Sequence, residues 1–429
     1  MSLVSMSQRR ITRHAVTANH NDITVRKHRP DYIIALLALV LLALGFVVVY
    51  AISPGIASAR QVSEQYLLSK QIIAIFLGIA TFLIFSVIPY RAWRQSIAVL
   101  VLFAGLLTIG ALLTPVNAQY PAHRWIRFSG LSFQTVEFLK LTLVLWCAHF
   151  ISMRALRGEL SDGQKTLKPL LYIIIIIIGI AIIVAGLQSD LGSAAVMVAI
   201  IVCIVYLAGM PLKRFLGLTA VVAASVVVLL AASFVVPSLR YRVDRFSTFL
   251  HPTSDCQNAG YQSCQALIAI GSGGVLGKGL GKSVQANGYL PEAANDSIFA
   301  IIAEKFGFIG VSLVIVTYLL LFSRMKRIML LAPSLYARLI VGGILAWFSM
   351  QAIINIGAMI GLLPLKGITL PFVSYGGTSL LFVTGALGIV FHVSRYTTFS
   401  NRLDTQEENS SVQRDKQRPR PLIVRRRSA

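Results

Sequence analysis

Tyr172–Gly186 reads Tyr-Ile-Ile-Ile-Ile-Ile-Ile-Gly-Ile-Ala-Ile-Ile-Val-Ala-Gly, and a globular core has no room for such a run. It belongs to a chain of 429 residues that is 56% hydrophobic and only 13% charged, too apolar for a soluble fold. Crossing the hydrocarbon layer takes about 20 mostly apolar residues. Working outward from 172, the segments 32–53, 70–90, 96–114, 135–153, 169–187, 190–209, 215–237, 297–322, 336–360 and 370–394 meet that requirement. The expectation is an all-α polytopic integral membrane protein with ten transmembrane helices and a large outward-facing loop, 238–296, between helices 7 and 8. The first segment is too long and lies too far from residue 1 to be a cleaved signal peptide.

Charge orients this bundle. Most of the 39 lysines and arginines fall in the two tails and in 91–94, 154–168, 213–214 and 324–338, and basic residues gather on the cytoplasmic side. Both tails, 1–30 and 397–429, are then cytoplasmic, basic and disordered. They lack an apolar period and are rich in Ser, Asn, Gln and Arg. Between them lies a membrane domain, 31–396. Topology and anionic headgroups account for the net charge of +23 and leave no role for nucleic acid.

The 238–296 loop is longer than a connection requires. It carries Gly260-Tyr261-Gln262, Gly271-Ser272-Gly273-Gly274 and Tyr289-Leu290-Pro291-Glu292-Ala293-Ala294-Asn295-Asp296, where glycines let backbone approach a ligand. Cys256 and Cys264 lie eight positions apart on the side where oxidation is permitted. They are a possible disulfide, and zinc is the poorer reading because His251 is the single histidine nearby.

Polar residues inside apolar spans are the informative exceptions, because each buried charge costs about 2.5–3.5 kcal/mol on insertion scales. Glu137 and Lys140 share a helical face, either as a structural ion pair or as the lining of a polar cavity. Arg124, Trp125 and Arg127 precede them on the outward side. The tryptophan suits a boundary anchor, and the arginines suit a headgroup or diphosphate. Asp190, in Gln188-Ser189-Asp190-Leu191-Gly192, reads equally as a helix cap and as a site residue. The same two readings apply to Asp296, beside Glu292 and directly before an apolar helix. Lys366 adds a cation in the last outward turn, ahead of Pro371 and Ser374-Tyr375-Gly376-Gly377. Such irregular backbone is tolerated only against protein or water.

Taken in order, Arg124-Trp125, Glu137-x-x-Lys140, Asp190-Leu191-Gly192, Gly260-Tyr261-Gln262, Gly271-Ser272-Gly273-Gly274, Leu290-Pro291-Glu292 to Asp296, and Pro371 to Gly377 resemble the SEDS family (shape, elongation, division, sporulation) over residues 32–395. The resemblance implies a ten-span peptidoglycan glycosyltransferase that polymerises lipid II at the outer face of the bacterial cytoplasmic membrane and releases undecaprenyl diphosphate. It further implies work with a class B penicillin-binding protein and other division proteins at the septum. Lys366-Gly367-Ile368-Thr369-Leu370-Pro371 is more similar to the division-type than to the elongation-type branch. By position, the family's essential loop carboxylate falls on Asp296. Glu137, Lys140, Asp190 and Lys366 fall on motif positions expected to line its cavity. The chain departs from the pattern at Ala294, where histidine is common, at Ser297, where phenylalanine is, and at Lys305, where glutamate is.

On this expectation Asp296 is the general base, and Arg124, Lys140 and Lys366 offset phosphate charge. A divalent cation (Mg or Mn) is compatible with diphosphate and aspartate oxygens. Glu292 would orient Asp296 or raise its pKa. Two other classes fit the same residues: a flippase for the lipid-linked precursor, which transporters with intramembrane charges resemble, and a non-catalytic division scaffold.

Overall fold

The structure is a computed structural model that describes residues 25–61, 63–114, 123–128, 131–160, 167–220, 224, 249, 256–258 and 260–398. The chain divides into two compact units, His28–Tyr396 and, separately, Met1–Lys27 with Thr397–Ala429. The short strand β1 (Val25–Lys27) pairs with β4 (Tyr396–Thr398). The remainder of both tails, to which disorder was assigned, lies outside the described residues.

The larger unit opens with α1 (Tyr32–Arg60), α2 (Glu64–Val87) and α3 (Ala92–Leu113). Asp31 starts α1 by accepting from the Ile33 amide at 3.1 Å, which satisfies one orphan donor of the first turn. An antiparallel hairpin follows, β2 (Trp125–Phe128) against β3 (Leu131–Gln134), with Trp125 opposite Gln134. It leads directly into α4 (Thr135–Leu156). Next come α5 (Leu167–Ile180), continued by a π-helical turn over Ala181–Leu187, and α6 (Leu191–Leu207). Past residues 212–220, which are helical, the description resumes around α7 (Tyr261–Gly273). A second π-turn (Gln285–Tyr289), α8 (Ile298–Leu330), α9 (Leu335–Met359) and α10 (Gly377–Val393) complete the unit.

The helices sort by what they bury. Side chains of α4 and α9 are buried over most of their length, whereas α2 and α3 expose Ile72, Phe76, Val99 and Leu102. That pattern places α4 and α9 at the centre, with lipid-facing helices around them. Glycines set the closest approaches. A Cβ on Gly45 of α1 would come within 2.3 Å of the Val373 carbonyl oxygen, and one on Gly55 within 2.7 Å of that of Ala286. Helix α1 is therefore pressed against the Pro371–Gly376 turn and the second π-turn.

The expected ten transmembrane helices are corrected here. Among the described residues, seven helices are long and apolar enough to cross a membrane, the longest windows being Tyr32–Ser58 and Ile298–Leu330. Helices α6 and α10 are apolar but have 17 residues each, about 26 Å at 1.5 Å per residue against a hydrocarbon layer of about 30 Å. An apolar count reads through Pro371 and Gly376, but the chain there is a turn, and helix begins only at Gly377. Most of 215–237 lies outside the described residues. The 238–296 stretch is also more than an irregular loop, since it contains α7 and a π-turn.

Candidate active site

Asp296 lies two residues before the first residue of α8, and it is 9% exposed. The helix takes Ser297 as its N-cap, without a side-chain capping bond. Instead, the Ser297 hydroxyl donates to the Pro291 carbonyl at 2.9 Å and accepts from Gln262 Nε2 of α7 at 3.1 Å. Gln262 thereby ties α7 to the base of α8, and the Cys256–Cys264 disulfide closes the chain at the start of α7.

The segment before Asp296 is locked to the 366–376 segment. Asn355 Nδ2, buried in α9, donates to the Asp296 carbonyl and to the Ile368 carbonyl, both at 2.7 Å. Ser374 Oγ donates to the Asn295 carbonyl at 2.6 Å and accepts from the Leu370 amide at 2.7 Å. The Tyr375 amide donates to the Ala294 carbonyl at 2.8 Å, and the Tyr318 hydroxyl of α8 donates to the Pro371 carbonyl. These bonds satisfy irregular backbone that could not survive against lipid.

Arg124 reaches the same place from the hairpin. Its Nε donates to the Gln188 carbonyl at 3.1 Å and its Nη2 to the Ser189 carbonyl at 2.5 Å, so the π-turn ending α5 holds the guanidinium. A Cβ placed on Gly367 would lie 3.7 Å from Arg124 Nη1 and 3.7 Å from Asp296 Oδ2. Cation and carboxylate thus border one small volume, which a side chain at 367 would enter. Gly192 at the start of α6 packs against Ile368 and the Lys366 side chain, which brings Asp190 to the same end. Asp190 Oδ1 accepts from the Ser193 amide at 2.9 Å as an N-cap, while its Oδ2 is buried with no hydrogen-bond partner. Gln188 is fully buried with both amide atoms unpartnered.

Glu137 and Lys140 sit deeper. Lys140 Nζ, wholly buried, donates to Glu137 Oε1 at 2.7 Å and to Gln351 Oε1 at 3.0 Å. Gln351 also accepts from Trp347 Nε1 at 2.7 Å and donates to the Thr369 carbonyl at 2.9 Å. The pair connects to the 366–371 segment through Gln351 and does not itself touch Asp296. Glu292 is exposed, accepts from Asn295 Nδ2, and lies one turn back from Asp296. Trp125 is half-buried on β2, and nothing is described of the Arg127 side chain. Glu304 takes no part in this volume. It is buried and accepts from Ser283 Oγ, from the amides of Val284 and Gln285, and from Lys278 Nζ at 3.4 Å.

Among the described residues, four non-glycine positions have positive φ, and three of them, Ser189, Glu292 and Phe372, flank this site. Conformations of that kind cost about 1–3 kcal/mol each and persist where the surroundings dictate them. Gln351, Asn355 and Gln188 were missed by the sequence reading, which weighed charges and passed over amides. Their signal was available, since Gln351 and Asn355 are polar residues four apart within an apolar span. Among the described residues no group of three or more His, Cys, Asp or Glu is placed to hold a metal ion.

The fold and this buried, charged end define a polytopic membrane protein with a polar site built where three irregular segments meet. Residues 31–399 match the FtsW/RodA/SpoVE model, described as cell cycle protein, and the chain belongs to that family, the SEDS proteins. It is 33% identical over 378 residues to stage V sporulation protein E of Bacillus subtilis, covering 88% of this chain and 100% of the relative. It is 36% identical over 381 residues to a probable peptidoglycan glycosyltransferase FtsW of Thioalkalivibrio sulfidiphilus, covering 87% and 92%. Among solved structures, it resembles a chain described under structural coordination of polymerization and crosslinking by a peptidoglycan synthase complex, with TM-score 0.67, 26% identity, and 85% and 98% coverage. It also resembles the rod shape determining protein RodA of Thermus thermophilus, with TM-score 0.59, 25% identity, and 85% and 97% coverage. Sporulation, FtsW and rod-shape names all occur among these relatives, so the comparisons show the family rather than one branch.

Proposed function

We propose that this protein is a peptidoglycan glycosyltransferase that polymerises lipid II at the outer face of the bacterial cytoplasmic membrane, with both tails on the cytoplasmic side. The observation that carries the reading is the position of Gly367, with the Asp296 carboxylate and the Arg124 guanidinium each 3.7 Å from one point beside it. Strand growth joins a sugar 4-hydroxyl oxygen to an anomeric carbon and breaks that carbon's bond to the lipid diphosphate. Asp296 takes the hydroxyl proton, a role worth about 10²–10⁴ in rate. The departing undecaprenyl diphosphate carries the electron pair, and Arg124 and Lys366 offset its charge. Lys140, buried against Glu137 and Gln351, acts at one remove by positioning the Thr369 segment. Ser374 and Asn355 hold the backbone on both sides of the base. Asp190 caps α6, whose Gly192 packs against Lys366.

A divalent cation would be bound by Asp296 together with substrate oxygens, which are hard ligands suited to magnesium or manganese. The described residues form no metal cage of their own, and the steps above need only the chain's side chains. The Lys366–Pro371 sequence supports the division-type branch and a place at the septum with other division proteins. The similarity to a chain of a peptidoglycan synthase complex supports a class B penicillin-binding protein as partner.

The test is incubation of purified protein and its crosslinking partner with lipid II, in detergent and in liposomes. Glycan polymer in both formats is expected. Lipid II translocated across liposomes without polymer would overturn the reading in favour of a flippase, and neither product would favour a scaffold.

A further inference from the structure

At the far end of α10, about 26 Å from Gly377 at 1.5 Å per residue, the bundle carries a second polar cluster that this chemistry does not use. Arg94, in the first turn of α3, is exposed, and its guanidinium donates to the Met153 sulfur of α4, a neutral and weak acceptor. Met153 lies one turn along α4 from His149, whose ring is 6.2 Å from that of Tyr336 of α9. Tyr90 closes the group, its ring 6.5 Å from that of Tyr336.

Several polar atoms at this end of the bundle are unused. The Tyr336 hydroxyl, Trp93 Nε1 and His149 Nδ1 are buried atoms with no hydrogen-bond partner, and Tyr336 and Trp93 are 9% and 8% exposed. Buried polar atoms of this kind each cost about 1–3 kcal/mol when left unmade. Among the described residues no carboxylate balances Arg94. The nearby Glu159 is held by Arg154 at 2.8 Å and Arg157 at 3.9 Å. An arginine without a counterion, with an unpartnered tyrosine hydroxyl and imidazole nitrogen at the same end of the bundle, calls for an anion with several acceptor oxygens.

Position selects the anion. Four, seven and eight positions along α3 from Arg94, the exposed Ala98, Val101 and Leu102 continue its face of the helix, an apolar strip on which acyl chains can lie. We infer that the Arg94–His149–Tyr336 cluster binds the phosphate of an anionic phospholipid headgroup, with the acyl chains against α3. Basic pockets between membrane helices take such headgroups, and the indole of Trp93 belongs at that boundary.

Native mass spectrometry of the full chain, exchanged between phosphatidylglycerol and phosphatidylcholine, tests this. The wild type and Lys213→Gln, an exposed lysine outside the cluster, should retain phosphatidylglycerol preferentially. Arg94→Gln should lower that preference at least about fivefold, the worth of one arginine beside an anionic headgroup. Tyr336→Phe, which keeps the ring, should lower it by a smaller factor in protein that elutes as a single species. Equal retention of both lipids, or a preference unchanged in both variants, would overturn the inference. An equal loss in Lys213→Gln would reduce it to diffuse charge. Stabilisation of lipid-free protein by inorganic phosphate, as large as that by phosphatidylglycerol, would assign the cluster to free phosphate and overturn the lipid reading.

Discussion

At the scale of single residues, Gly367 decides whether Asp296 and Arg124 can act together. It has no positive φ, and a Cβ there meets both groups at ordinary contact distance, so a side chain at 367 enters the volume between them without straining the backbone. Gly367→Leu is therefore expected to fold with nearly unchanged thermal stability while polymerisation falls about a hundredfold, the penalty of a misplaced reacting group. Parallel thermal melts and glycan gels check both halves. Asp190 and Asp296 were legible as carboxylates at the starts of apolar helices, and Arg124 and Lys366 as cations on the outward side, where basic residues are the exception. Gln351 and Asn355, four apart in an apolar span, carried a weaker signal, because an uncharged amide costs less to bury than a charge.

At the scale of elements, the site depends on how α7, the 274–289 segment and α8 are joined. Helix α8 is interrupted at Gly307, with φ +64 and ψ −162, a region open essentially to glycine. Gly277 packs against the Lys305 carbonyl from the facing segment. Glu304 gathers the amides of Val284 and Gln285, the Ser283 hydroxyl and Lys278. Replacing it by alanine strands several buried donors, and Glu304→Ala should lose about 2–4 kcal/mol of stability, read as a lower melting temperature in detergent. Retained stability would show that the segment is held by its glycine packing alone. None of this was legible beforehand. Glu304 followed by Lys305 reads as a local pair, whereas Lys305 Nζ turns away to donate to the Leu280 carbonyl at 2.6 Å.

At the scale of the whole molecule, composition was enough to give an all-helical membrane protein, because no other fold hides so much apolar surface. The number of crossing helices was not legible. Hydropathy registers apolar residues wherever they lie, and the Pro371–Gly376 turn is apolar without being helix. Packing also breaks the symmetry that sequence suggests, with α4 and α9 enclosed and α2 and α3 facing lipid. The proposed orientation makes a further prediction, since α6 leads from Asp190 at the site to the opposite end of the bundle near Lys213. A cysteine at Lys282 should be labelled by a membrane-impermeant maleimide in intact spheroplasts, and one at Lys213 only after lysis. The reverse pattern would invert the bundle and remove the site from the outer face.

The central claim is that the Asp296 carboxylate takes the proton of the attacking sugar. Its most direct measurement is the single-turnover rate of lipid II polymerisation by Asp296→Asn, co-purified with the crosslinking partner and compared with the parent at equal lipid II occupancy. The account predicts a fall of about 10²–10⁴ in rate with lipid II binding retained. A rate within a fewfold of the parent would contradict it and leave Asp296 as a structural residue at the head of α8.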